Sequence, residues 1–178
     1  MSDYPTIALI GPGAIGTTIA AVLHEAGRTP QLCGRTAHSQ LRLRHDEGEI
    51  VVPGPVLTDP TVIDRPYDLV FIAVKTTQNA DSAGWLNALC DENTVVCALQ
   101  NGVEQKAQLA PWVNGATVLP SVVWFPAQRE PDASVWLRAS PRLTLPDVPQ
   151  AKRVADALNG TRCAVDLSAD FLTVAWRK

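Results

Sequence analysis

Gly11-Pro12-Gly13-Ala14-Ile15-Gly16 carries a glycine spacing suited to holding a pyrophosphate. Gly11 permits a tight turn, Gly13 presents no Cβ to an approaching phosphate, and Gly16 lets the next helix pack close to the preceding strand. A helix beginning at Ala14 adds free N–H groups and a partial positive charge at the same point. The spacing alone also fits an ordinary glycine turn. Its position favours dinucleotide binding, because it lies between the strand-like run Thr6-Ile7-Ala8-Leu9-Ile10 and a helical pattern marked by Ile15, Ile19, Val22, Leu23 and Ala26.

Three polar residues bear on what the loop would bind. NAD sites usually place an Asp or Glu about 20 residues beyond the glycines to hold the ribose 2′-hydroxyl. Here no acidic residue lies between Glu25 and Asp46, whereas Arg28, Arg35, Arg42 and Arg44 do. Arg35 falls at the end of the second strand, where a guanidinium can pair bidentately with a 2′-phosphate, so the expected cofactor is NADP (NADPH). The other three arginines are expected to be solvated. Lys75 and Asn101 each follow an apolar run. An ammonium and an amide there suit a cofactor ribose, or a substrate carboxylate and carbonyl. Lys75 equally suits the first solvated position after a strand, and Asn101-Gly102 a plain turn, because Asn tolerates and Gly prefers left-handed backbone.

These positions depend on an alternation of strand and helix along the chain. Strands are expected at 6–10 and 29–33, around a helix at 14–26 that Gly27 ends. A polar, arginine-rich stretch follows, then short strands at Glu49–Val52 and Val56-Leu57. Asp68–Val74 and Thr94–Leu99 are continuously apolar after their first residue, as strands covered on both faces are. Helices are expected at 76–90 and at 103–110, the second stopped by Pro111. Between 116 and 145, runs at 118–125, 135–138 and 143–145 are expected to extend the sheet in mixed orientation. A helix at 150–158 ends at Asn159-Gly160, a strand occupies 162–167, and Ser168 is the expected N-cap of a last helix. The fold class is α/β, a Rossmann-like doubly wound, mostly parallel sheet with added mixed or antiparallel strands. In such a sheet, ligands bind beyond the carboxyl ends of the strands, where Arg35, Lys75 and Asn101 fall.

Composition narrows the class of partner. A net charge of −3 over 178 residues offers no basic field for nucleic acid or an anionic membrane, so the expected partner is a small molecule. No Lys or Arg precedes Arg28, and no apolar run approaches the length of a membrane span, so neither a secretory signal nor a transmembrane helix is expected and the expected location is cytoplasmic. Cys33, Cys90, Cys97 and Cys163 form no Cys-x-x-Cys pair and are expected to be buried free thiols. His24, His38 and His45 lack a ligand spacing, so no metal site is assigned.

Taken in order, Ile7–Gly16, Ala73-Val74-Lys75, Leu99-Gln100-Asn101-Gly102-Val103 and Trp176-Arg177-Lys178 resemble the landmarks of the 2-dehydropantoate 2-reductase (ketopantoate reductase) family. The resemblance implies NADPH-dependent reduction of the 2-keto group of ketopantoate to pantoate, toward pantothenate and coenzyme A. By position it implies that Gly11, Pro12, Gly13, Ala14, Ile15 and Gly16 hold the pyrophosphate. Lys75 and Asn101 would contact the cofactor or, for Asn101, the substrate beside the nicotinamide, and Lys178 matches the family's proton donor. An ammonium there can stabilise the charge that grows on oxygen and deliver the proton. Phe171, Val174 and Lys178 share one helical face.

On the same resemblance, residues 1–167 form the NADP-binding domain and 168–178 the first turns of an interdomain helix, with the family's helical substrate domain expected beyond these 178 residues. Leu119–Asp147 departs from the family pattern, with Pro120, Pro126 and Pro131-Asp132 where small residues and a Pro-Gly turn are usual. Another 2-oxo acid, or a catalytically silent NADP-binding or sensing module, therefore stands as the alternative function. An apolar face on the last helix would promote association, and a homodimer is the expected assembly.

Overall fold

The structure is a computed structural model that describes residues 4–100 and 103–178. The continuously apolar runs become β1 (Ile7–Ile10), β5 (Leu69–Ile72) and β6 (Val95–Ala98), every residue of which is buried. With β2 (Gln31–Cys33) and β7 (Thr117–Pro120) they form an all-parallel sheet in the order β2-β1-β5-β6-β7. Side chains alternate between two cores. Leu9, Phe71 and Cys97 face one side, with Ile19, Val22 and Leu23 of helix α1 (Ala14–Glu25). Ile10, Val70 and Val96 face the other, with Trp85, Leu86 and Leu89 of α2 (Ala83–Leu89) and Leu109 of α3 (Gln105–Leu109). Covering both faces explains why these strands carry no polar alternation.

The chain leaves β1 towards β2 on one side and reaches β5 on the other, so the topological switch point lies at the carboxyl ends of β1 and β5. Helix α1 ends as expected: Gly27 adopts φ +78°, its N–H bonds the His24 carbonyl, and the Arg28 N–H reaches back to the Leu23 carbonyl.

Several elements differ from the sequence expectations. The arginine-rich stretch, to which the sequence assigns no element, is ordered. It is strand β3 (Gln40–His45), paired antiparallel with β4 (Gly48–Pro53), because Leu41 and Leu43 alternate inward while Arg42 and Arg44 point out. The strands after β7 do not extend the parallel sheet either. β8 (Val122–Val123), β11 (Arg142–Pro146) and β12 (Ala164–Ser168) form one further sheet; β9 (Ala127–Arg129) and β10 (Val135–Leu137) join β3 and β4 in another, ordered β4-β3-β10-β9. That four-stranded sheet packs on α1, which lies between two sheets and is buried continuously from Gly16 to Leu23. The expected helix at 76–90 forms only as α2, preceded by 3-10 turns at Thr76–Gln78 and Ala80–Ser82, since Thr, Asn, Asp and Ser are weak helix formers and Asn79 is held by Gln100 and Gln108.

Helix α4 (Ala151–Leu158) connects the parallel strands β11 and β12, and Gly160 at φ +77° closes it. Arg28 is not solvated as expected. Its guanidinium caps the end of α4 through the Ala157 and Asn159 carbonyls at 2.8 and 2.6 Å, and lies over the Tyr4 ring. Arg42 and Arg44 both pair with Asp132, at 3.0 and 2.7 Å. The last helix, α5 (Phe171–Arg177), has Asp170 rather than Ser168 as its N-cap. Ser168 ends β12, and its hydroxyl accepts the Asp170 N–H. All four cysteines are buried and free, and burial pushes each thiol pKa up to about 12. Among the described residues, no helix is long and apolar enough to cross a membrane.

Candidate functional site

At the switch point, the loop after β1 sits between the ends of β2 and β5. The Gly11 N–H bonds the Cys33 carbonyl and the Ala73 N–H bonds the Ile10 carbonyl, each at 2.9 Å. Gly11 adopts φ +89°, and a Cβ there would stand 2.6 Å from the Val74 side chain. At Gly16 a Cβ would lie 2.2 Å from the Gly11 carbonyl oxygen, so close approach of α1 to the loop demands glycine. Gly13 differs: a Cβ there meets nothing within 4 Å, so its open face points into free space. The first N–H groups of α1, at Ala14, Ile15 and Gly16, have no intrahelical partner by position.

The free space is a cleft of about 650 Å³, lined by Gly11, Pro12, Gly13, Ala14 and Ile15 on the loop side. That volume lies within the range of small-molecule and cofactor sites. Gly34, Arg35 and His38 line it from the end of β2; Lys75, Gln78 and Asp81 line it from the end of β5. Arg35 and Lys75 are both exposed, and neither guanidinium nor ammonium makes a hydrogen bond or ion pair among the described residues. With Arg129, three cations face one carboxylate, Asp81, around the cleft. Its field favours an anion, and the glycine loop offers the backbone donors to hold one.

A buried amide cluster holds the chain on either side of Lys75, at Val74 and Asn79. Gln100 donates from Nε2 to the Val74 carbonyl at 2.9 Å and to Asn79 Oδ1 at 2.6 Å, and the Gln105 amide donates to the Gln100 carbonyl at 2.8 Å. Asn101 lies outside the described residues. Its neighbour Gln100 follows the end of β6.

Lys178 does not line this cleft. Its Nζ donates to the Val123 carbonyl and lies 5.6 Å from the centre of the Trp124 ring. Val123 ends β8 and Trp124 follows it, so Lys178 is held against the end of that strand in the three-stranded sheet. Partial burial lowers its ammonium pKa from the ordinary value. Phe171, on the shared face of α5, is buried.

Residues 7–150 match the family model described as ketopantoate reductase PanE/ApbA. The chain belongs to the ketopantoate reductase family. It is 49% identical over 173 residues to a 2-dehydropantoate 2-reductase of Mycobacterium tuberculosis (strain ATCC 25618 / H37Rv), covering 97% of this chain and 59% of that one. A 2-dehydropantoate 2-reductase of Caulobacter vibrioides is 32% identical over 174 residues, with 97% and 60% covered. The fold superposes on a dimeric ketopantoate reductase from Staphylococcus aureus with a TM-score of 0.80 at 27% identity, over 96% of this chain and 62% of that one. A family member from Ralstonia eutropha JMP134 shares the fold at TM-score 0.81 and 22% identity, over 96% and 59%. The chain thus spans about 60% of the length of the relatives it matches. Ketopantoate reductases use a nicotinamide cofactor, and the open loop face, free helix N–H groups and cationic walls of the cleft fit such a group.

The structure brings Gly11, Pro12, Gly13, Ala14, Ile15, Arg35 and Lys75 around one cleft. Gly16 lies behind it as a packing glycine, and Lys178 stands apart beside Trp124. Sequence reasoning missed Arg129, which comes from the four-stranded sheet and donates from Nη2 to the Pro12 carbonyl at 2.9 Å. It also missed Trp124, whose indole N–H bonds Thr144 Oγ1 at 2.8 Å. Arg129 sits on a three-residue strand with no apolar alternation, and its relation to the loop spans 117 positions, so only the fold reveals it.

Proposed function

We propose that the protein in its natural full length reduces 2-dehydropantoate to pantoate with NADPH. The observation that carries this is the convergence of the glycine loop with Arg35 and Lys75 at the switch point, in a chain of this family. When bound, the cofactor supplies a hydride to the keto carbon. The loop Gly11–Ile15 receives the pyrophosphate at its open face, on the free N–H groups of Ala14 and Ile15 at the start of α1, with Gly16 seating α1 behind it. Arg35 pairs with the 2′-phosphate and sets the preference for NADP, since a guanidinium matches a phosphate bidentately and no acidic residue between Glu25 and Asp46 stands at the end of β2 to hold the ribose hydroxyl. Lys75 contacts the cofactor, and Asn101 contacts the cofactor or the substrate beside the nicotinamide.

Lys178 is the proton donor. As the hydride reaches carbon, the C=O bond becomes C–O and its electron pair collects on oxygen, where the ammonium stabilises the charge and delivers its proton. Residues 1–167 act as the cofactor domain, and 168–178 begin the helix leading towards the substrate-binding half. The dimeric Staphylococcus aureus relative supports a homodimer for the full-length protein, and a cytoplasmic location accords with this activity.

The test is titration of the full-length protein with NADPH and NADH, followed by nicotinamide fluorescence. NADPH should bind the more tightly by at least about tenfold, the worth of one charge-assisted hydrogen bond. Tighter binding of NADH would refute the role of Arg35, and binding of neither would refute the proposal as a whole.

A further inference from the structure

We propose that Arg129 is a second clamp on the dinucleotide pyrophosphate, opposing the glycine loop from the other sheet. The inference rests on the cofactor assignment above and adds a residue to it. Arg129 ends β9, the edge strand of the four-stranded sheet that packs on α1, and it pairs in register with Val135 of β10. That packing carries its guanidinium to the beginning of α1, where Nη2 bonds the Pro12 carbonyl at 2.9 Å and the side chain lines the cleft.

Two features separate this arginine from a purely structural one. Its neighbours on the same sheet, Arg42 and Arg44, are both neutralised by Asp132, at 3.0 and 2.7 Å. Arg129 makes no ion pair among the described residues, and its one hydrogen bond there is to a neutral carbonyl. A guanidinium has five N–H donors in a rigid fork, so four remain for a ligand in the cleft that the side chain lines. The second feature is the carbonyl itself. Pro12 has no N–H to offer a phosphate, and its carbonyl oxygen would repel one. That oxygen accepts from both Arg129 and the buried Thr17 hydroxyl, the latter at 3.1 Å. Arg129 therefore holds the repelling dipole of the loop while presenting positive charge beside the N–H groups that would receive the phosphate.

The position also fixes what Arg129 does not do. It approaches the loop after β1, whereas Arg35 follows β2 at the other wall of the cleft. Arg35 should discriminate between dinucleotides, and Arg129 should hold the pyrophosphate common to both.

The experiment compares the full-length wild type with Arg129→Gln and Arg129→Lys. The probes are NADPH, NADH and adenosine 2′-monophosphate, which has a 2′-phosphate and no pyrophosphate. Arg129→Gln keeps a donor for the Pro12 carbonyl and removes the charge. It should weaken NADPH and NADH equally, by about 10- to 100-fold, and flatten the salt dependence of NADPH binding, with adenosine 2′-monophosphate affinity unchanged. Arg129→Lys should recover part of the loss, since it restores the charge without the fork. NADPH binding by Arg129→Gln at wild-type strength would overturn the inference, because Arg129 would then be a latch on the loop alone. An equal loss of adenosine 2′-monophosphate would overturn it too. A wild type that binds neither dinucleotide would instead overturn the cofactor assignment on which the inference rests.

Discussion

Gly13 and Gly16 stand three positions apart, yet a methyl group has opposite consequences at each. At Gly13 an added Cβ meets nothing within 4 Å, and the extended backbone, φ −79° and ψ −154°, is open to alanine. Alanine at a compatible glycine position stabilises by about 0.4–1 kcal/mol through the unfolded chain. Gly13 is also the N-cap of α1, and alanine is the poorer cap, by a few tenths to about 1 kcal/mol. The two terms oppose each other, so Gly13→Ala should change stability by no more than about 0.5 kcal/mol and Tm by about 2 °C. The methyl nevertheless fills the space where a phosphate would close on the loop. Losing one charge-assisted hydrogen bond costs about 1.5–3 kcal/mol, or about 10- to 100-fold in Kd.

At Gly16 the Cβ would lie 2.2 Å from the Gly11 carbonyl oxygen and 3.1 Å from its carbon, both backbone atoms held by the β1–β2 and β1–β5 contacts. Overpacking of this kind costs about 1–3 kcal/mol, which lowers Tm by about 2–10 °C. Thermal unfolding by circular dichroism and NADPH titration on both variants separate the two effects. Gly13→Ala should lose binding and keep its Tm, whereas Gly16→Ala should lose Tm. A Gly13→Ala protein that binds NADPH at full strength, or melts as early as Gly16→Ala, would mean that the two glycines do not divide binding and packing between them.

Other consequences can be checked in the same way. Arg35→Ala should weaken NADPH by about 10- to 100-fold and leave NADH almost unchanged in parallel titrations. Lys178→Ala should lower turnover of ketopantoate by about 10²- to 10⁴-fold without altering NADPH affinity. A proton donor must be protonated and burial lowers the Lys178 pKa, so kcat/KM should decline as pH rises through a value below the ordinary lysine pKa of about 10.4. Asp132 has its carboxyl held down to about 2, first by the Ser134 hydroxyl and then by the Ser134 N–H, with Arg44 and Arg42 adding to the shift. Its contribution to stability is present above the ordinary value of 3.8 and is lost as pH falls through about 2, so Asp132→Asn should flatten the stability profile over that interval in acid unfolding.

The sequence made the parallel sheet legible because its strands are covered on both faces and therefore continuously apolar; Leu69–Ile72 and Val95–Ala98 leave no other assignment. The loop Gly11–Gly16 was legible for a related reason, since each glycine answers a local steric demand. Strand β3 was legible in principle. Gln40-Leu41-Arg42-Leu43-Arg44-His45 alternates with period two, but its arginines draw attention as charges and its leucines are few. Nothing local marks β9, whose Ala127-Gln128-Arg129 gains meaning only by pairing with β10 and packing near α1. The role of Arg28 is hidden for the same reason: the carbonyls it caps lie 129 and 131 positions away. Lys178 was placed by family resemblance, and the fold adds its contacts with Val123 and Trp124, which no spacing in the sequence announces.

The most direct test is to add 2-dehydropantoate to the full-length protein with NADPH and follow the loss of nicotinamide absorbance together with the appearance of pantoate. One pantoate should form for each NADPH consumed, with the rate falling sharply in Lys178→Ala. NADPH that binds but is not consumed by the wild type in the presence of 2-dehydropantoate would contradict the proposed function.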